Sequence, residues 1–207
     1  MIRERQKHLL EIIRQEGVIR PRDMDKYQIP RGYLHQLHNA GLVSRVGRGL
    51  YMLPDAEITE HHSLAEASKS IPNGVICLLS ALRFHELTTQ APFEVWIALD
   101  PKMWHPQIES LPIHIVRFSG RAFDRGIEEH TIDGVSVRIY DPAKTVVDCF
   151  RYRNKIGLDV ALEALRDYLS HREKRSNEQY SVDKLWEYAQ QCRMSRVMMP
   201  YMEAIAG

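Results

Sequence analysis

Along the first quarter of the chain, apolar residues come in short bursts at helical spacing, each closed by glycine or proline. Leu9, Leu10, Ile12 and Ile13 sit among charges between Ile2 and Glu16, with Gly17 next, which predicts an amphipathic first helix. Val18-Ile19 has room only for a very short strand. Pro21 suits the first turn of a second helix over Arg22 to Gln28. Ile29-Pro30 breaks that helix, because a residue before proline avoids the α region. Leu34 and Leu37, three apart between Arg31 and Ala40, predict a short third helix with one buried face. Gly41 is placed as its C-cap, where a positive φ is wanted. Leu42 to Val46 and Leu50 to Leu53 then alternate as two strands, with Gly47 and Gly49 supplying the turn. Helix, short strand, helix, tight turn, helix and hairpin follow one another within residues 1–54, and that order is the topology of a winged helix-turn-helix.

Pro54 to Glu60 is polar and reads as a linker to a second domain at 61–207. His61 to Ser70 has helical spacing, and Pro72-Asn73-Gly74 marks a turn. Val75 to Thr88 reads as one buried helix through Leu78, Leu79, Leu82, Phe84 and Leu87. Four strand candidates follow: Phe93 to Leu99, Ile113 to Phe118, Ile127 to Ile132 and Val135 to Tyr140. Asp133-Gly134 between the last two is a two-residue hairpin signal. Asp141 and Pro142 are an N-cap and first position for a helix through Tyr152. Leu158 to His171 is amphipathic, Arg172 to Gln179 is a charged connector, and Val182 to Cys192 and Val197 to Ile205 close the chain as helices. The fold class is α+β: an N-terminal winged helix-turn-helix, then a mixed α/β domain with a small, mostly antiparallel sheet and C-terminal helices.

Composition narrows this picture little, because 44 % hydrophobic and 27 % charged residues are ordinary for a globular chain. No run approaches the ~18 apolar residues of a membrane span, and Met1-Ile2-Arg3-Glu4-Arg5 is no signal peptide, so a cytoplasmic protein without a membrane partner is expected. Cys77, Cys149 and Cys192 are sparse and far apart, which points to reduced core thiols. Charge is more informative. Residues 1–53 hold 10 Lys and Arg against 5 Asp and Glu, a net +5, and the rest hold 18 against 22, a net −4. A basic first quarter on a mildly acidic body fits a module that contacts double-stranded DNA.

The candidate contacts follow from that geometry. Tyr33, His35, Gln36 and His38, with Arg31 at the helix start, would face base edges or phosphates. Arg45 and Arg48 would neutralise phosphates from the wing, as would Arg20 and Arg22 at the second helix. The competing interpretation is a winged helix used for protein contacts, with these groups merely solvated. No catalytic constellation is present: there is no Gly-rich phosphate loop, no Gly-x-Ser-x-Gly elbow and no His-Glu-x-x-His helix. Asp100-Pro101-Lys102 lacks an acidic partner at a nuclease-like spacing. His61-His62 points to two helix faces and makes a poor chelate, and Glu128-Glu129-His130 reads as an exposed strand end. Asp141 and Lys144 read as a cap and a helix-end residue. An enzyme, a cofactor and a metal are all unexpected.

Three segments resemble the AbiEi family of antitoxins. Gly41-Leu42-Val43-Ser44-Arg45-Val46-Gly47-Arg48-Gly49-Leu50-Tyr51 looks like that family's wing. Leu79-Ser80-Ala81-Leu82-Arg83-Phe84-His85-Glu86-Leu87-Thr88 is similar to the helix opening its C-terminal domain, with Glu86 where the family usually has glycine. Tyr140-Asp141-Pro142-Ala143-Lys144-Thr145-Val146-Val147-Asp148-Cys149 looks like its Pro-x-Lys-Thr-x-x-Asp segment. The resemblance implies a winged helix that binds inverted repeats in its own promoter. It also implies a C-terminal domain that supports repression and neutralises a nucleotidyltransferase toxin of the AbiEii type, in a type IV toxin–antitoxin module for abortive infection. A regulator whose C-terminal domain senses another ligand or partner stands as the alternative.

Overall fold

The computed structural model describes residues 4–47, 49–56, 59–104, 108, 111–175 and 180–206. The chain divides into two compact units. The first comprises Met1–Asn73, Pro106–Pro112 and Glu129–Val137, and the second Gly74–His105, Ile113–Glu128 and Arg138–Gly207.

In the first unit, α1 (Glu4–Glu16) buries Leu9, Ile12 and Ile13 along one stripe, as its spacing predicts. Val18-Ile19 shrinks to a single antiparallel bridge, in which Ile19 and Tyr51 exchange two backbone hydrogen bonds of 2.9 Å. Pro21 does open a helix, but Pro21–Tyr27 winds as a 3₁₀ helix rather than an α-helix. The stretch is short, and Asp23 receives the Arg20 N–H at 3.0 Å, tightening its first turn. Then α2 (Gly32–Asn39) buries Leu34 and Leu37. It closes in a Schellman turn, with the Leu42 N–H on Leu37 O at 2.9 Å and the Gly41 N–H on His38 O at 3.0 Å. β1 (Ser44–Gly47) and β2 (Leu50–Met52) pair antiparallel, Ser44 opposite Met52 and Arg45 opposite Tyr51, with a bulge before Gly47. Leu9, Ile13, Ile19, Met24, Leu34 and Leu37 form the core of this unit, and α3 (His62–Ser70) follows.

A five-stranded sheet orders the second part of the chain as β5-β4-β3-β7-β6, from β3 (Val75–Ile76), β4 (Val95–Leu99), β5 (Ile113–Arg117), β6 (Ile127–Ile132) and β7 (Val135–Tyr140). It is mixed rather than mostly antiparallel: β3 runs antiparallel to β4 but parallel to β7, and β4 runs parallel to β5. The difference traces to Val75-Ile76, which the apolar spacing assigns to a helix. Both are β-branched and at most 1 % exposed, and they form the central strand of the sheet. Only Leu78–Phe84, α4, is helical. Glu86 ends this helix at φ 58°, a left-handed geometry that glycine adopts more readily. Asp133 and Gly134 turn β6 into β7 with φ of 48° and 74°, as a two-residue hairpin requires.

A short α5 (Arg121–Asp124) precedes β6, and α6 (Pro142–Ile156) leads the closing helices α7 (Leu158–Arg175), α8 (Val182–Gln191) and α9 (Ser195–Ala206). In the second unit α6 packs against α4, α7 and α8 and fills the core with Val146, Val147, Cys149 and Phe150, all 0 % exposed. Burial pushes the Cys77 and Cys149 thiols well above their ordinary range, with the Asp148 charge adding to it, so both stay protonated. Among the described residues no helix is long and apolar enough to cross a membrane.

Candidate nucleic-acid interface

The 3.6-residue period of α2 divides its eight residues into two faces. Leu34 and Leu37 point into the core at 1 % exposure each. Gly32, His35, Gln36 and Asn39, related by steps of three and four, are all exposed on the opposite face. Gln36 and Asn39 thus present two carboxamides from adjacent turns, each with a donor and an acceptor at its tip. Gln36 accepts a 3.2 Å hydrogen bond from the Gln6 Nε2 at the surface. Asn39 is absent from the contacts the sequence nominates, although its spacing from His35 and Gln36 was signal enough to include it.

The other nominated groups separate by burial. Tyr33 is half-buried against the core of the first unit. His38 is half-buried too. Its Nδ1 lies 3.2 Å from Val43 O and its ring stands edge-on to Tyr51 at 5.7 Å, so it ties the end of α2 to the hairpin. Arg31 is exposed and pairs with Asp25 through Nε at 3.2 Å, which holds the Asp25 carboxyl below its usual range. With both side chains about 60 % exposed, such a pair contributes little to stability and exchanges readily for another anion. Arg22 is exposed, and so is Arg45, whose Nε donates to Gly47 O at 3.1 Å on β1. Arg48 lies outside the described residues.

Arg20, nominated for a phosphate, is engaged within its own unit. Its side chain is 17 % exposed, and Nη2 and Nε donate to the Asp23 carboxylate at 2.9 and 3.1 Å while Nη1 donates to Lys69 O. Burial raises the Asp23 carboxyl, but the Arg20 hydrogen bonds and the Lys69 charge outweigh it and leave it below its usual range. A depressed carboxyl stabilises the fold above its unfolded pKa and loses that contribution as pH falls through its folded one. Asp23→Asn is therefore expected to lower stability at neutral pH, and the deficit should shrink below about pH 4. Urea unfolding of both proteins at the two pH values measures it, and a deficit independent of pH would contradict the ionic role.

In the second unit, Asp141 caps α6 by accepting the Lys144 N–H at 2.8 Å, as its sequence position predicts. Its other oxygen accepts from the Tyr188 hydroxyl at 2.8 Å and lies 3.1 Å from the Lys184 Nζ. Lys144 is more than a helix-end residue. It is 1 % exposed, ion-paired with the fully buried Asp148 one turn on, and its Nζ stands 4.4 Å from the Tyr140 ring centroid. The four-residue spacing within an apolar helix was the available signal. Elsewhere, Asp100 Oδ1 accepts the Lys102 N–H at 2.8 Å, a local turn, and His62 pairs with Asp133 at 2.7 Å within the first unit.

No curated protein gives a match. From the middle of α1 to just past β2, residues 8–54 match the family of transcriptional regulators described as AbiEi antitoxin, so over that stretch the resemblance read from the sequence holds.

Proposed function

We propose that residues 1–54 form a winged helix-turn-helix, that residues 61–207 form the domain that acts on a partner, and that the protein is an autorepressing antitoxin of a type IV toxin–antitoxin module. In this reading α2 enters the major groove of inverted repeats in the module's own promoter, and the β1–β2 hairpin follows the adjacent phosphates as the wing. Gln36 and Asn39 read base edges, adenine being the natural partner of a carboxamide, with His35 beside them. Arg22, Arg31, Arg45 and Arg48 neutralise phosphates. Tyr33 and His38 hold the helix against its own unit, and Arg20 positions the 3₁₀ helix. The second domain neutralises a nucleotidyltransferase toxin in the cytoplasm, with no catalysis of its own. The observation that carries the reading is the polar stripe of α2 opposite Leu34 and Leu37, set next to a hairpin bearing Arg45 in the segment that matches the regulator family.

A gel shift on the module's own promoter, repeated over a range of salt, tests it. Arg45→Ala/Arg48→Ala should weaken binding to every sequence alike and flatten the salt dependence by about one unit per lost contact. Gln36→Ala/Asn39→Ala should instead cost about 1–3 kcal/mol per lost base contact on the operator while leaving unrelated DNA unaffected. Parent-like operator binding by both variants would refute the interface. Co-expression with the neighbouring reading frame tests the antitoxin role: relief of growth inhibition supports it, and persisting inhibition contradicts it.

A further inference from the structure

The second unit contains a cavity of about 470 Å³ whose wall is unusually cationic. Arg121 lines it from α5, Lys144 and Arg151 from α6, and Arg193 from the residues after α8, with Ser119 and Tyr188 beside them. None of its lining residues is acidic. The two nearby carboxylates are already engaged, Asp141 by the Lys144 N–H, Tyr188 and Lys184, and Asp148 by the Lys144 ammonium. Among the described residues no carboxylate lies within ion-pairing distance of Arg121, Arg151 or Arg193. The three guanidinium groups are exposed and repel one another across a concave surface, a repulsion that a bound polyanion would convert into attraction. Two of them are also pre-positioned. The Arg151 guanidinium lies 5.9 Å from the Phe118 ring centroid. Arg193 occupies a left-handed position at φ 58°, held by the Arg193 N–H on Gln190 O at 3.1 Å and the Met194 N–H on Ala189 O at 2.7 Å. A glycine would sit there without the cost an arginine bears.

We infer that this cavity binds a small ligand carrying two or more linked phosphoryl groups, with Arg121, Arg151 and Arg193 as the phosphate clamp. Planar guanidinium forks match phosphate oxygens in pairs, and a few hundred cubic ångströms is the ordinary size of a small-molecule site. A cavity of this size favours a compact ligand over the backbone of a duplex, whose contact with a protein runs along a much larger open surface. The site is separate from the α2 stripe and would let the second unit respond to a phosphorylated metabolite.

Calorimetric titration of the full-length protein with inorganic pyrophosphate, and separately with ATP, tests the inference. One-to-one saturable binding is expected for at least one of the two. Arg151→Ala/Arg193→Ala should weaken it about tenfold or more, with part of the affinity restored in Arg151→Lys/Arg193→Lys. Arg22→Ala/Arg45→Ala should leave it unchanged, which separates this site from the DNA-reading surface. All four arginines concerned are surface groups, and a parent-like unfolding transition in each variant confirms that the binding comparison is made on folded protein. The inference is overturned if neither probe saturates, if Arg151→Ala/Arg193→Ala binds like the parent, or if a short duplex of unrelated sequence displaces the bound probe.

Discussion

Gly17→Ala is expected to destabilise the protein by about 3 kcal/mol or more, a large share of the roughly 5–15 kcal/mol that holds a domain together. Gly17 ends α1 at φ 65°, where a side chain adds about 1 kcal/mol of strain. Space is the greater obstacle. A Cβ at Gly17 would lie 1.4 Å from Asp133 O and 2.5 Å from its carbonyl carbon. From the other side, a Cβ at Gly134 would come within 2.7 Å of Gly17 N and of the Glu16 carbonyl carbon. Backbone meets backbone here, so no rotamer change relieves the clash, and either the helix end or the turn must move. Movement is resisted by the 2.7 Å contact of Asp133 with His62 within the same unit. Gly32→Ala is the contrasting case: its Cβ meets nothing within 4 Å at the exposed start of α2, and alanine there should be neutral or stabilising by about 0.5–1 kcal/mol. Urea unfolding of the two variants decides the matter, and a Gly17→Ala midpoint equal to the parent's would sink the close-approach argument.

That contact also shows where the sequence stops being readable. Features whose cause is local were legible in it. Asp141-Pro142 starts a helix because a carboxylate and a ring with fixed φ serve the first turn in place, and Asp133-Gly134 turns a hairpin because both tolerate positive φ. The α2 stripe was legible for the same reason, since Leu34 and Leu37 fix the buried face and the exposed one follows. Where the cause lies far along the chain, local pattern misleads. Val75-Ile76 became the central strand because β4 and β7 flank it, and two residues carry no period of their own. Arg20 resembles Arg22 in sequence, but Lys69, 49 residues on, supplies the carbonyl that helps hold it. His38 falls outside the exposed stripe because of where the hairpin returns. Lys144 does stand near a helix end, as read, but its partner Asp148 is only four residues on, and what the pattern left out is that both are buried.

Removing that partner should be the second severe lesion. Asp148→Leu leaves the Lys144 ammonium 1 % exposed with no anion beside it, and breaking a buried pair from one side costs about 3–5 kcal/mol. Burial raises the Asp148 carboxyl above its usual range against the opposing pull of Lys144, which marks an environment hostile to isolated charge. The rings of Tyr140 and Phe118, 4.4 and 5.0 Å from Nζ, attract the cation but cannot replace a carboxylate. Lys144→Met should be milder if Asp148 takes up a proton, which a raised carboxyl makes easier, and its cost should then grow with pH. Replacing both, Lys144→Met/Asp148→Leu, should recover much of the loss, because apolar groups of similar volume in place of a buried pair are often neutral. The four proteins form a double-mutant cycle whose coupling term, measured by urea unfolding, should exceed about 1 kcal/mol. Additive effects would mean that Lys144 and Asp148 are buried side by side without depending on each other, and the i,i+4 pair would lose its place as the electrostatic anchor of α6.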